Sequence, residues 1–75
     1  MTPIKPYLTR AIELIEAIED TQKQADECRS VAKVTDISDY AEVNRKLAVG
    51  FDRSVTRLKA QLETVKSEIL KLWHE

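Results

Sequence analysis

A chain of 75 residues with 12 Lys and Arg against 13 Asp and Glu has room for one domain, and its near-even charge exerts no net pull toward nucleic acid or anionic membrane. One Cys and one His exclude an internal disulfide and a Cys/His zinc site, two staples used by small folds whose core is insufficient. Association with another helix is the remaining source of stability, and a composition rich in Ala, Glu, Lys, Leu, Arg and Ile is a helical one.

In chain order, Pro3 and Pro6 confine the first helix start to the first turn, because a proline further in would break the hydrogen-bond ladder. Helix 1 is expected over about residues 4–34. Ile4, Ala11, Ile18, Ala25 and Ala32 recur every seven residues as a positions, with Tyr7, Leu14, Thr21 and Cys28 at d. Leu8, Ile12 and Ile15 widen the apolar face of the first half beyond what a two-helix seam needs. The polar run Glu19-Asp20-Thr21-Gln22-Lys23-Gln24 stays helical in this reading, since the heptad phase passes through it unchanged.

A turn over about residues 35–38 follows. Thr35, Asp36 and Ser38 are residue types that accept hydrogen bonds from the free N–H groups of a following helix, and Asp39 and Glu42 then oppose the positive end of its dipole. Helix 2 is expected over about 39–73. Its a positions are Ala41, Ala48, Val55, Leu62 and Ile69, and its d positions Asn44, Phe51, Leu58, Val65 and Leu72. A sustained apolar period of 3.5 residues marks a long helix buried along one edge against another helix. Gly50 interrupts the propensity but not the phase, so one continuous helix with a possible kink is expected.

A short connection makes the helices antiparallel neighbours. The fold class is therefore all-α, a coiled-coil-like helical hairpin forming a single domain over 1–75 and completed by dimerisation or a partner helix. The preferred register opposes Ile4 with Leu72, Leu14 with Leu62, Ile18 with Leu58, Ala25 with Phe51, Cys28 with Ala48 and Ala32 with Asn44. It gathers small residues near the loop and large ones near the termini. A slip of one heptad would instead bring Cys28 opposite Ala41. Residues 1–40 carry five basic and eight acidic side chains and residues 41–75 seven and five, which favours the pairing.

No catalytic, cofactor or metal residues are assigned, and an enzyme is not expected. Cys28 reads as a core thiol, having no His or basic group at helical reach to activate it. Asn44 is either a register-fixing polar seam residue or solvated near the loop. Arg45, Lys46, Arg53, Lys59 and Lys66 read as a solvated face, since Asp52 interrupts them and no aromatic interleaves them; nucleic-acid binding is not expected. Glu13, Glu16, Glu19, Asp20, Asp26 and Glu27 read as surface charges. The start lacks a secretory pattern and no apolar run suits a bilayer span, so the expectation is a cytoplasmic protein.

The run Ile69-Leu70-Lys71-Leu72-Trp73 exceeds what one hairpin partner can cover. The expected partner interface is Tyr7, Leu8, Ile12, Ile15, Leu58, Leu62, Ile69, Leu72 and Trp73. The expected function is that of a non-enzymatic adaptor, chaperone-like or assembly protein whose partner is a second copy or another helical protein. In its length, hairpin layout and Ser38-Asp39-Tyr40 turn region the chain resembles the small two-helix subunits and cochaperones of bacterial type III secretion systems, which implies a hairpin that shields a partner's hydrophobic helix. A dimeric nucleic-acid-binding or phage-type regulator is the further alternative.

Overall fold

Pro6 lies in the first turn of helix α1, Lys5–Val34, where its missing N–H leaves no bond unmade. The Ile4 carbonyl closes that turn by accepting from both Tyr7 N–H at 3.0 Å and Leu8 N–H at 3.1 Å. The computed structural model describes residues 3–74, and α1 runs through the polar stretch 19–24 without a break.

At the far end of α1, Thr35 turns extended (φ −81°, ψ 138°) while its N–H still donates to Val31 O at 3.0 Å. Helix α2, Ser38–His74, begins as Ala41 N–H donates to Ile37 O at 3.0 Å. The expected capping is only partly realised. Thr35 Oγ1 accepts from Ile37 N–H at 3.3 Å, which ties the turn to the residue before α2 rather than to a free N–H inside it. Asp39 occupies the first turn of α2, and Lys33, Lys71 and His74 occupy the last turns of their helices, each on the side the dipole favours.

The two helices pack against each other as an all-α hairpin, a rod of 59 × 14 × 12 Å. Gly50 stays within a continuous α2. No described helix is long and apolar enough to cross a membrane.

The seam is buried unequally along its length. Toward the termini the buried residues are Leu14, Ile18 and Val55; toward the loop they are Ala25, Ala41, Ala48 and Asn44. Leu14, at 1% exposure, is the one large side chain among the described residues that is almost wholly sealed. Burial of a side chain of that size stabilises a fold by about 1.5–3 kcal/mol, and an alanine methyl contributes much less.

Groove linings place the helices close to the expected register. Gln24, Cys28 and Val31 line one flank together with Asn44, Leu47 and Phe51, and Arg29 and Ala32 line the other with Arg45, Ala48 and Asp52. Cys28 therefore lies level with Ala48, not with Ala41. The thiol is half-buried rather than sealed in the core.

Candidate partner interface

Among the described residues two side-chain hydrogen bonds cross between the helices, and they identify the flanks of the seam. Arg29 binds Asp52 as an ion pair, and Arg10 Nη2 donates to Gln61 Oε1 at 3.3 Å. In heptad terms Arg29 and Asp52 are both e residues, and Arg10 and Gln61 are both g. Like pairs with like because reversing the direction of one helix brings its e edge to the same side as the e edge of its neighbour. The rod thus has an e side, bordered by the b positions, and a g side, bordered by c.

Asp26 also holds Arg29, at 3.0 Å. The Asp52 hydrogen bond is the main cause raising the Arg29 pKa above its ordinary value, so the guanidinium stays charged throughout the working pH range. Both ends of the cross-helix pair are substantially exposed, so solvent screening leaves it a minor contributor to stability and chiefly a marker of which edges of the helices adjoin.

Seven-residue steps from this pair carry the e side to the open end. One step back along α1 and forward along α2 reaches Gln22 and Lys59, two steps reach Ile15 and Lys66, and three reach Leu8 and Trp73. Ile12 and Leu70 are the bordering b residues. Leu8, Ile12, Ile15, Leu70 and Trp73 thus share one side of the open end. All five are exposed, Ile12 and Leu70 by more than half and Trp73 by 76%. An apolar cluster left in water on a helix pair is the usual mark of a surface that something else covers.

The nine interface residues expected from the sequence separate into two groups. Leu8, Ile12, Ile15 and Trp73 belong to the outward cluster. Tyr7, Leu58, Leu62, Ile69 and Leu72 are seam residues, half-buried by the neighbouring helix. Leu70 was not among the nine, although its place one turn from Trp73 at a b position marks it for the cluster.

A second outward stripe was also missed. Tyr40, Val43 and Leu47, each about half-exposed, recur at i, i+3 and i+7 on the g side near the loop. Their spacing was legible, but a reading that allots one seam to each helix passes over it. Val43 and Leu47 flank Gly50, Phe51 and Ser54 in a shallow groove, and a Cβ added to Gly50 would meet nothing within 4 Å.

The polar residues resolve individually. Asn44 is buried at 6% exposure, and its Nδ2 donates to Tyr40 O at 2.9 Å. Its amide is therefore held by its own helix and makes no described bond across the seam. Of the basic face, Lys46 pairs with Glu42 at 3.4 Å and Lys66 with Glu63 at 3.0 Å. Arg45, Arg53 and Lys59 have no ion pair among the described residues. Of the acids, Glu13 reaches Arg10 at 3.5 Å, and Glu68 reaches Lys71 at 3.4 Å. Among the described residues no three His, Cys, Asp or Glu side chains group to hold a metal ion.

No protein-family model, curated protein or solved structure matches this chain. The functional reading accordingly rests on the surfaces themselves.

Proposed function

We propose that this chain is a non-enzymatic helical interaction protein, acting as an assembly, adaptor or chaperone-like subunit by presenting the open end of its hairpin to another helix. The observation that carries this reading is the exposed cluster of Leu8, Ile12, Ile15, Leu70 and Trp73 on one side of the rod. A partner helix laid along it would bury large apolar side chains with a Trp among them, the residue types that dominate binding energy at interfaces.

The test compares the wild-type chain with an Ile12→Asp, Leu70→Asp variant, following helicity by circular dichroism and association by sedimentation and by retention of proteins from the native lysate. The variant is expected to remain helical and to lose every associating species. A wild-type chain that associates with nothing, or a variant that keeps all its associations, would reject the reading.

Contact with a phosphate backbone is the second reading. It is favoured by a groove on the e side near the loop, lined by Lys33, Arg45 and the Arg29–Asp52 pair together with Ala32, Ala48 and Val49. Binding to RNA or DNA that weakens steeply with salt would support it.

A further inference from the structure

We infer that the loop end carries a second docking surface, the row Arg45, Val49 and Arg53 on the outside of α2, and that its occupant is a partner helix with the order acid, aliphatic, acid at i, i+4 and i+8. Val49 lies three heptads from Leu70, so this surface is separate from the open-end cluster and goes beyond the reading built on it.

Charge selects the class of partner. Two grooves meet at Arg45 and Val49, and their linings hold Arg29, Lys33, Arg45, Lys46 and Arg53 against only Glu42 and Asp52. Both carboxylates are engaged, Glu42 by Lys46 at 3.4 Å and Asp52 by Arg29. Lys33, Arg45 and Arg53 are left with no ion pair among the described residues. For the two arginines this follows from the sequence. Side chains three and four residues apart are the neighbours on a helix, and those flanking Arg53 are Val49, Gly50, Thr56 and Arg57. Those flanking Arg45 are Ala41, Ala48, Val49 and the Glu42 that Lys46 already holds. The hairpin supplies no acid to either guanidinium, so a carboxylate from outside meets no competitor.

Spacing selects a helix over a polyphosphate. Arg45 and Arg53 stand eight residues apart, roughly 12 Å at the helical rise, with the half-exposed Val49 between them. A helix packed alongside presents its own row at the same interval. Its two acids then reach the arginines, in the geometry that a guanidinium and a carboxylate favour, while its aliphatic side chain covers Val49. The acid beside Arg45 also enters the groove that Lys33 lines from α1. A duplex strand places a phosphate about every 3.4 Å of axis. Its charges would fall on Val49 and against Asp52 and Glu42 as well as on the arginines.

The probe is a labelled, Ala-rich helical peptide with Glu, Leu and Glu at i, i+4 and i+8, titrated with the full chain and followed by fluorescence anisotropy. Arg45→Glu, Arg53→Glu is expected to weaken binding by about tenfold or more, with helicity checked by circular dichroism. The Ile12→Asp, Leu70→Asp variant should bind as the wild type does. A peptide with Gln in place of both Glu should bind the wild-type chain about tenfold more weakly, a comparison that needs no variant to fold. A peptide with Lys in place of both Glu should prefer the Arg45→Glu, Arg53→Glu chain.

No binding of the Glu peptide, or equal binding of the Glu and Gln peptides, overturns the inference. So does an oligouridine that binds the wild-type chain more tightly than the Glu peptide and is lost in Arg45→Glu, Arg53→Glu, which would give the row to a phosphate backbone. The open-end reading survives each of these results, because it is tested by the associations that Ile12→Asp, Leu70→Asp removes.

Discussion

The open end and the loop end are made from the same two helices in one continuous heptad phase, yet they are held by different means. At the open end, Leu14, Ile18 and Val55 are buried and a second apolar surface faces outward on the e side. At the loop end the buried layer is Ala25, Ala41, Ala48 and Asn44, and the outward stripe of Tyr40, Val43 and Leu47 lies on the g side. Side-chain volume in the seam and apolar area outside it are therefore independent variables. The first sets how firmly one hairpin closes, and the second sets what it can bind.

The substitution that breaks this comparison most sharply is Leu14→Asp. Replacing an almost sealed leucine with an unpaired carboxylate should cost more than about 4 kcal/mol and abolish the helical fold, measured as loss of the circular dichroism signal at 222 nm. Ile12→Asp, two residues away on the outward side, should leave that signal in place. Equal loss at both positions would mean that inner and outer surfaces are not distinct.

Asn44→Leu probes the loop end. It removes a buried amide already bonded to its own helix and adds apolar volume to the thinnest layer, so a gain of about 1 kcal/mol in stability to urea is expected. A loss of similar size would show that the loop-end seam has no room for the larger side chain.

Gly50→Ala should add up to about 1 kcal/mol, since alanine is the better helix former and its methyl meets open space. Sedimentation of the same variant sharpens the contrast between sides. Gly50 lies on the g side, so association through the e side should be unchanged. The smallest effect belongs to Arg29→Ala, which removes an exposed cross-helix ion pair: a slight loss of stability to urea is expected, shrinking further as salt is added.

The hairpin was legible because nothing in the chain contradicts its period. The phase holds from Ile18 to Ala25 through six polar residues and from Ala48 to Val55 across Gly50, and the helices are continuous at both places. Periodicity also marked Leu8, Ile12 and Ile15 as surplus to the seam. It grouped them with Trp73 at the open end but could not separate this one side of the rod from the seam residues, because that depends on which edge of α1 adjoins which edge of α2, and the Arg29–Asp52 and Arg10–Gln61 bonds supply that information. Asn44 was ambiguous for a related reason. A d position states that a side chain faces the seam, not whether its amide finds a partner there or bends back to Tyr40.

The unequal seam also bears on the order in which the fold can form. Closing the short connection from Thr35 to Ile37 brings together the residues nearest in sequence first, and these are the alanine and asparagine layers that reward contact least. Leu14 gains its neighbours only after most of the rod has zipped, when the loop-closure entropy has been met and little chain remains free. Contacts thus become available in inverse order of strength. Folding speed should follow the intrinsic helicity of the segments flanking the turn, whereas the rate of opening should follow the large side chains near the termini, the last to form and the first whose loss releases the chain.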